Sequence, residues 1–241
     1  RHHTNRRVLT ISLGKYRGTG LTEAALRGGD FVDAVGYNAR VTYALEALSS
    51  RTPTTVYLYW GEIDAAGHRY GVGSDEWLQQ LEELNSALKR LAERAPAWAA
   101  LFVTADHGMV NVPEHQRIDY SGVEELTRNI AMTAGEPRAV HLYLEDTSEA
   151  ARTATAQRWA QYWGERAWVI DSRELMRAGY FGPVITDAAR GRIGDLMVCA
   201  RDDWALYDMR HYQERALHMV GQHGSLTDAE RLVPLRMLKT F

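Results

Sequence analysis

At 241 residues, 45% hydrophobic and 24% charged, the chain has the make-up of a globular protein with a substantial core, in one large domain or two small ones. A net charge of −3 excludes a general attraction to nucleic acid or anionic membrane, and no apolar run approaches the length of a bilayer span. The one cysteine, Cys199, excludes an internal disulfide and a cysteine-built zinc site.

Residues 1–7 carry no initiator Met, no signal peptide and no tag-length histidine run. They lead straight into residues 8–13, a strand by β-branched content. A chain that enters a core strand with no preamble reads as a fragment. The compartment is left open by the sequence, with a soluble, cytoplasmic protein slightly favoured. Residues 14–20 form a turn-rich connection, and Gly28-Gly29 leads into Phe31-Val32. From Asp33 the period changes. Val35, Ala39, Thr42, Ala44, Leu45 and Leu48 line one face of a helix, with Asp33 at the positive end of its dipole. Residues 54–60 are a near-continuous apolar strand, as expected for burial on both faces.

Ser74 then opens a long helix as N-cap, with Trp77, Leu78, Leu81, Leu84, Leu88 and Leu91 at helical spacing and Pro96 ending the segment. Residues 99–106 are the next strand, with Phe102 and Val103 as buried residues. Strand, helix and strand make a βαβ crossover of ordinary size. Residues 139–144 are a further strand. Asp146 with Glu149 suits a helix cap, and Trp159 and Trp163 suit its core face. Residues 168–170 and 193–200 are strands, the segment between them loop and broken helix. The tail is polar and irregular up to Met219.

Four positions repeat one chemical theme. Asp64 and His68 are four residues apart, so a helical turn puts both on one face. Asp106 and His107 end a strand, and Gly108 permits the bend that would let both reach one ion. His223 lies between Gly221 and Gly224, where the backbone can bring it close to something. Carboxylate oxygen and imidazole nitrogen are zinc ligands, and carboxylate-rich sets also accept manganese or iron. A plainer reading stands beside each. Asp106-His107 alone is a polar turn, Asp64 with His68 a loop cap, and His223 a turn residue. Asp64, His68 and His223 supply the three ligands of a catalytic zinc. Asp106 and His107 are only two, so a second ion of a two-metal hydrolase is short of ligands.

Asp64-Ala65-Ala66-Gly67-His68, Thr104-Ala105-Asp106-His107-Gly108-Met109 and Gly221-Gln222-His223-Gly224, in that order and spacing, resemble the alkaline phosphatase superfamily, in its type I phosphodiesterase/nucleotide pyrophosphatase branch. The resemblance runs from about residue 54 to the end. It implies a three-layer α/β/α sandwich with a mostly parallel sheet, incomplete here, in which 1–241 are the C-terminal part of a single catalytic domain. It implies metal-dependent hydrolysis of phosphate esters, diesters first, and two divalent ions, zinc foremost. Asp64, His68 and His223 would hold one ion, Asp106 and His107 the other. The family's nucleophilic Thr or Ser, and a further Asp, have no match here. Thr4, Thr10, Ser12, Thr19, Thr22 and Thr42 all lack its context, which leaves a separate N-terminal segment as a partner beside a small phosphate ester. No nucleic acid polymer and no membrane segment are expected. A phosphomonoesterase, a phosphoglycerate mutase-like enzyme and a catalytically incomplete metal-binding module remain as alternatives; a sulfatase is disfavoured.

Other polar residues carry plainer expectations. His141 fills a polar niche in a sheet, and His115, His211 and His218 lie at the surface. Asp195 serves a turn, and Glu62 orients a ligand or faces solvent. Arg69, Arg117 and Arg138 could each meet a phosphate.

Overall fold

The computed structural model describes residues 6–239. Its α/β elements fall into two compact units. One takes the chain up to Ala66, Gly73–Thr104 and the segment from Pro234; the other takes Gly67–Val72 and Ala105–Val233. The helix Glu62–Tyr70 is common to both, because the division falls inside it.

In the first unit the strands are β1 (Arg7–Ser12), β2 (Asp30–Asp33), β3 (Thr54–Leu58) and β4 (Leu101–Thr104). The helices are α1 (Gly20–Ala25), α2 (Tyr37–Leu48), α3 (Glu62–Tyr70) and α4 (Asp75–Arg94). β1 is the centre of a parallel sheet ordered β2-β1-β3. Its Leu9 and Ile11 are buried with Val41 and Ala44 of α2 and Ala87 and Leu91 of α4. Ser74 caps α4 as its sequence predicts, accepting the Trp77 N–H at 3.2 Å.

Four expectations change here. α2 starts at Tyr37 rather than Asp33, because Asp33 ends β2 and its carboxylate accepts the Gly14 N–H at 2.6 Å. β3 is an edge strand, and its Tyr57 is exposed, so its apolar run does not mark burial on both faces. Phe102 is 62% exposed. β4 alternates, Leu101 pointing in and Phe102 out, and the unbroken apolar run up to Val103 hides that period of two. Finally, β4 does not close a crossover with β3. It pairs antiparallel with β13 (Leu235–Lys239), where Met237 faces Phe102. The crossovers are β1 to β2 through α1 and β2 to β3 through α2, which places β3 on the other side of β1.

In the second unit the chain continues with β5 (Val110–Asn111), β6 (Arg117–Asp119), α5 (Glu124–Thr127), β7 (Ile130–Glu136), β8 (Ala139–Leu144) and α6 (Glu149–Trp163). β9 (Ala167–Asp171), α7 (Ser172–Arg177), α8 (Asp187–Arg190), β10 (Leu196–Ala200), β11 (Ala205–Tyr207), β12 (Gly221–Gln222) and α9 (Asp228–Arg231) follow. The main sheet, β7-β8-β10-β9, is antiparallel throughout, and α6 packs Trp159 and Trp163 on Leu142, Leu196 and Val198. Short pairs, β6 with β11 (parallel) and β5 with β12 (antiparallel), complete it. Parallel pairing is therefore local to β1-β2-β3 and β6-β11. Ser148, not Asp146, caps α6, since Asp146 spends its Oδ1 on the Ser148 N–H in a tight Asx turn. Asp195 takes a structural role, accepting the Leu144 N–H and pairing with Arg152. Among the described residues no helix is long and apolar enough to cross a membrane.

Two predictions come from this packing. Trp159 is fully buried and donates its indole N–H to the Leu126 carbonyl at 3.0 Å, so Trp159→Ala should cost about 3–5 kcal/mol in urea unfolding. Burial works to raise the Asp208 carboxyl, but hydrogen bonds from Arg210 and Thr133 outweigh it and hold the group below its ordinary value. Its contribution to stability is complete above about pH 4, the unfolded value, and is lost as pH falls through the lower folded value. Asp208→Asn should therefore flatten the fall in urea midpoint between neutral pH and about pH 3.

Candidate metal centre

Helix α3 turns the Asp64–His68 loop into a single rigid element, with the two side chains one turn apart on one face. Its end is fastened by backbone. The Val220 N–H donates to the His68 carbonyl at 2.8 Å, and His68 Nδ1 lies 2.7 Å from the Gly221 carbonyl oxygen. A carbonyl only accepts, so Nδ1 carries the proton and Nε2 keeps its lone pair. His107 repeats the device, its Nδ1 lying 2.9 Å from the Gly108 carbonyl oxygen. Fixing one ring nitrogen through a hydrogen bond to a carbonyl is the usual way a metal-binding imidazole is oriented.

The glycines act by close approach. A Cβ on Gly221 would stand 2.3 Å from the Gly67 carbonyl oxygen and 2.5 Å from Met109 Sδ. A Cβ on Gly108 would stand 2.0 Å from the Ala229 carbonyl oxygen. Gly108 does not adopt a left-handed φ, so it serves contact with the 229–230 backbone rather than the bend that its place after Asp106-His107 suggests. β5 and β12 then pair Asn111 with Gly221 and Val110 with Gln222. The Asn111 side chain accepts the Val72 N–H at 2.7 Å and donates to the Val72 carbonyl at 2.9 Å, imitating a strand pair.

These links gather the three motifs. The His107 and His223 rings stack with centroids 3.5 Å apart and planes 15° from parallel, and the His68 ring centroid is 5.1 Å from that of His223. The donor set, imidazole nitrogen with carboxylate oxygen, suits zinc and related divalent ions. Asp106 is mostly exposed, its Oδ1 3.8 Å from His107 Nε2. The sequence pairs His107 with Asp106 and His223 with His68 as separate ligand sets, whereas His107 here stacks on His223.

Other candidates have structural work. Arg40 grips Glu62 through two hydrogen bonds of 2.8 and 2.6 Å. Burial works to raise the Glu62 carboxyl, and Arg40 overrides it to leave the group below its ordinary value. Arg117 donates to the Val112 and Leu217 carbonyls. Arg138 is fully buried against Glu230, a pair that sequence alone did not single out; the buried arginine beside an apolar strand start was its only sign. His141 Nδ1 accepts the Gly194 N–H at 3.1 Å, while His115, His211 and His218 are exposed. Of the hydroxyls, Thr10 and Ser12 are buried in β1, Thr19 and Thr22 donate to the Tyr16 carbonyl, and Thr42 is exposed on α2. Thr4 lies outside the described residues.

The family model of type I phosphodiesterase / nucleotide pyrophosphatase matches residues 9–226. The chain belongs to this family. Bovine (Bos taurus) bis(5'-adenosyl)-triphosphatase ENPP4 is 31% identical over 101 residues, 39% of this chain and 22% of that protein. Human ectonucleotide pyrophosphatase / phosphodiesterase 5 superposes with a TM-score of 0.67 at 14% identity, over 96% of this chain and 60% of the other. Phosphonoacetate hydrolase from Sinorhizobium meliloti 1021 gives 0.63 at 18%, over 98% and 66%. The chain thus spans less than two thirds of the human and bovine relatives. The fold these structures share with it is of the alkaline phosphatase type.

A family site held by backbone contact predicts its own fragile point. Gly221→Ala should lower the unfolding free energy by about 1–3 kcal/mol, since backbone and Met109 must move. Gly122→Ala, with nothing near its would-be Cβ, should stay within about 1 kcal/mol of the parent in the same denaturation series.

Proposed function

We propose that this chain carries the metal centre of a phosphoric ester hydrolase acting on phosphodiesters, with Asp64, His68, Asp106, His107 and His223 as ligands to two divalent ions, zinc foremost. The observation that carries the reading is the gathering of the His68, His107 and His223 rings in one unit, His107 stacked on His223 and His68 beside it. Family membership supports hydrolysis of phosphate esters. The printed activity of the bovine relative, a bis(5'-adenosyl)-triphosphatase, favours nucleotide-derived diesters over simple monoesters.

When bound, the ions would supply positive charge beside the phosphoryl oxygens and lower the pKa of an attacking hydroxyl. The residues of this chain do the rest. His68 and His107 each keep one ring nitrogen protonated by a backbone carbonyl, so both present Nε2 without rotation of the ring. The stacking of His107 on His223 fixes a second angle. Such prior placement is worth most in phosphoryl transfer, where catalysis is mainly positioning and charge stabilisation. The attacking hydroxyl is not assigned to a residue of this chain.

Zinc titration of the purified chain tests the reading. Saturable zinc binding is expected, weakened by at least about tenfold in His223→Ala, as for loss of one ligand. Hydrolysis of bis(p-nitrophenyl) phosphate is followed alongside. Turnover abolished by Asp64→Ala would place the nucleophile within the chain, whereas zinc binding without turnover would fit a metal-bearing portion. Failure to bind zinc, manganese or iron would sink the proposal.

A further inference from the structure

The strongest unassigned feature is a buried charge pair in the second unit. Arg138 and Glu230 are both almost wholly buried, and Arg138 Nε and Nη2 donate to Glu230 Oε1 and Oε2 at 2.7 and 2.8 Å. Arg138 also donates to the Trp204 carbonyl at 2.5 Å, and its backbone carbonyl accepts the Ala200 N–H, so the arginine is anchored at the end of β10. Glu230 faces the other way. Its Oε1 accepts the Ser225 N–H at 3.0 Å, and its Oε2 accepts the Thr227 hydroxyl. Its backbone carbonyl accepts the Gly108 N–H at 2.7 Å. Ser225 is two residues beyond His223, and Gly108 is the neighbour of His107. One residue thus holds both segments that bring the two stacked imidazoles together.

We infer that Glu230, held by Arg138, is a positioning residue that sets the spacing of His107 and His223 for metal binding; the inference rests on the metal centre proposed above. A buried ion pair is a poor source of net stability, because desolvating both charges consumes most of their attraction. Such a pair is better explained by the geometry it enforces. Here both oxygens of the carboxylate hold the 225–227 loop, whose other side-chain tie is the Ser225 hydroxyl on the Ala200 carbonyl.

The test separates geometry from stability. Glu230→Leu alone leaves Arg138 buried and unpaired and can fail to fold. The informative protein is the double variant Arg138→Met with Glu230→Leu, which removes both charges. Its thermal midpoint should stay close to the parent's, while zinc Kd rises roughly 10–100-fold, the usual cost of losing a partner behind the ligands. Arg138→Met with Glu230→Gln, which keeps an acceptor for the Ser225 N–H, should recover most of that affinity. In metal-free protein the His107 and His223 imidazole NMR signals should move in the first double variant, with His141 as an unmoved control. Thr227→Val, a gentler change, should move the same two signals less. Parent-like zinc affinity and unmoved imidazole signals in a folded double variant would overturn the inference. If the parent itself binds no metal, the metal reading fails, and the imidazole signals alone decide whether Glu230 positions the rings.

Discussion

The site depends on two backbones lying closer than any side chain allows. Gly67, inside α3, and Gly221, at the start of β12, touch so nearly that a methyl on Gly221 would overlap the Gly67 carbonyl. Everything else follows from that approach. It brings the Gly221 carbonyl to His68 Nδ1 and the Val220 N–H to the His68 carbonyl. It lets β12 pair with β5, the strand that leaves the Asp106-His107 turn. The contact replaces side-chain packing, which would be adjustable, with main chain, which is not.

A second approach, Gly108 against Ala229 and Glu230, works in the same way but is backed by charge. The two differ in energetic character. The first removes glycine backbone from water and loses conformational entropy at both residues. The second adds the desolvation of Arg138 and Glu230, offset only because each buried atom finds a partner. Burial alone would raise the Glu230 carboxyl, and the Arg138 and Thr227 hydrogen bonds hold it below its ordinary value. The carboxylate therefore remains the acceptor that Ser225 needs.

Much of this was legible in the residues. Ser74 and α4, Trp159 and Trp163 as core, His141 in its sheet niche and the family itself all follow from periodicity, capping chemistry and motif order. Pairing partners were not legible. Nothing in residues 101–104 says that their neighbour is the C-terminal strand, since an antiparallel partner 130 residues away leaves no local mark. The exposure of Phe102 is hidden too, because an unbroken apolar run conceals which residues face in. The caps at Asp33 and Asp146 misled because aspartate serves a turn or a cap equally well, and only the neighbouring N–H decides. Gly108 is needed for its lack of a side chain, whereas its place after Asp106-His107 points only to freedom of φ.

The groups that orient the imidazoles leave little mark in the sequence. His68 and His107 are both oriented by carbonyl oxygens, of Gly221 and Gly108. A carbonyl is supplied by every residue type, so neither orienting group has a sequence signature of its own. Only the glycines do, because they alone permit the approach. The readable part of the centre is therefore its candidate side chains and its gaps, the imidazoles, the carboxylates and the places where Cβ is forbidden. The orienting framework is written in the fold, which this chain shares with structures at 14–18% identity. That framework sets which imidazole lies beside which, and it stacks His107 on His223 where motif order alone divided them.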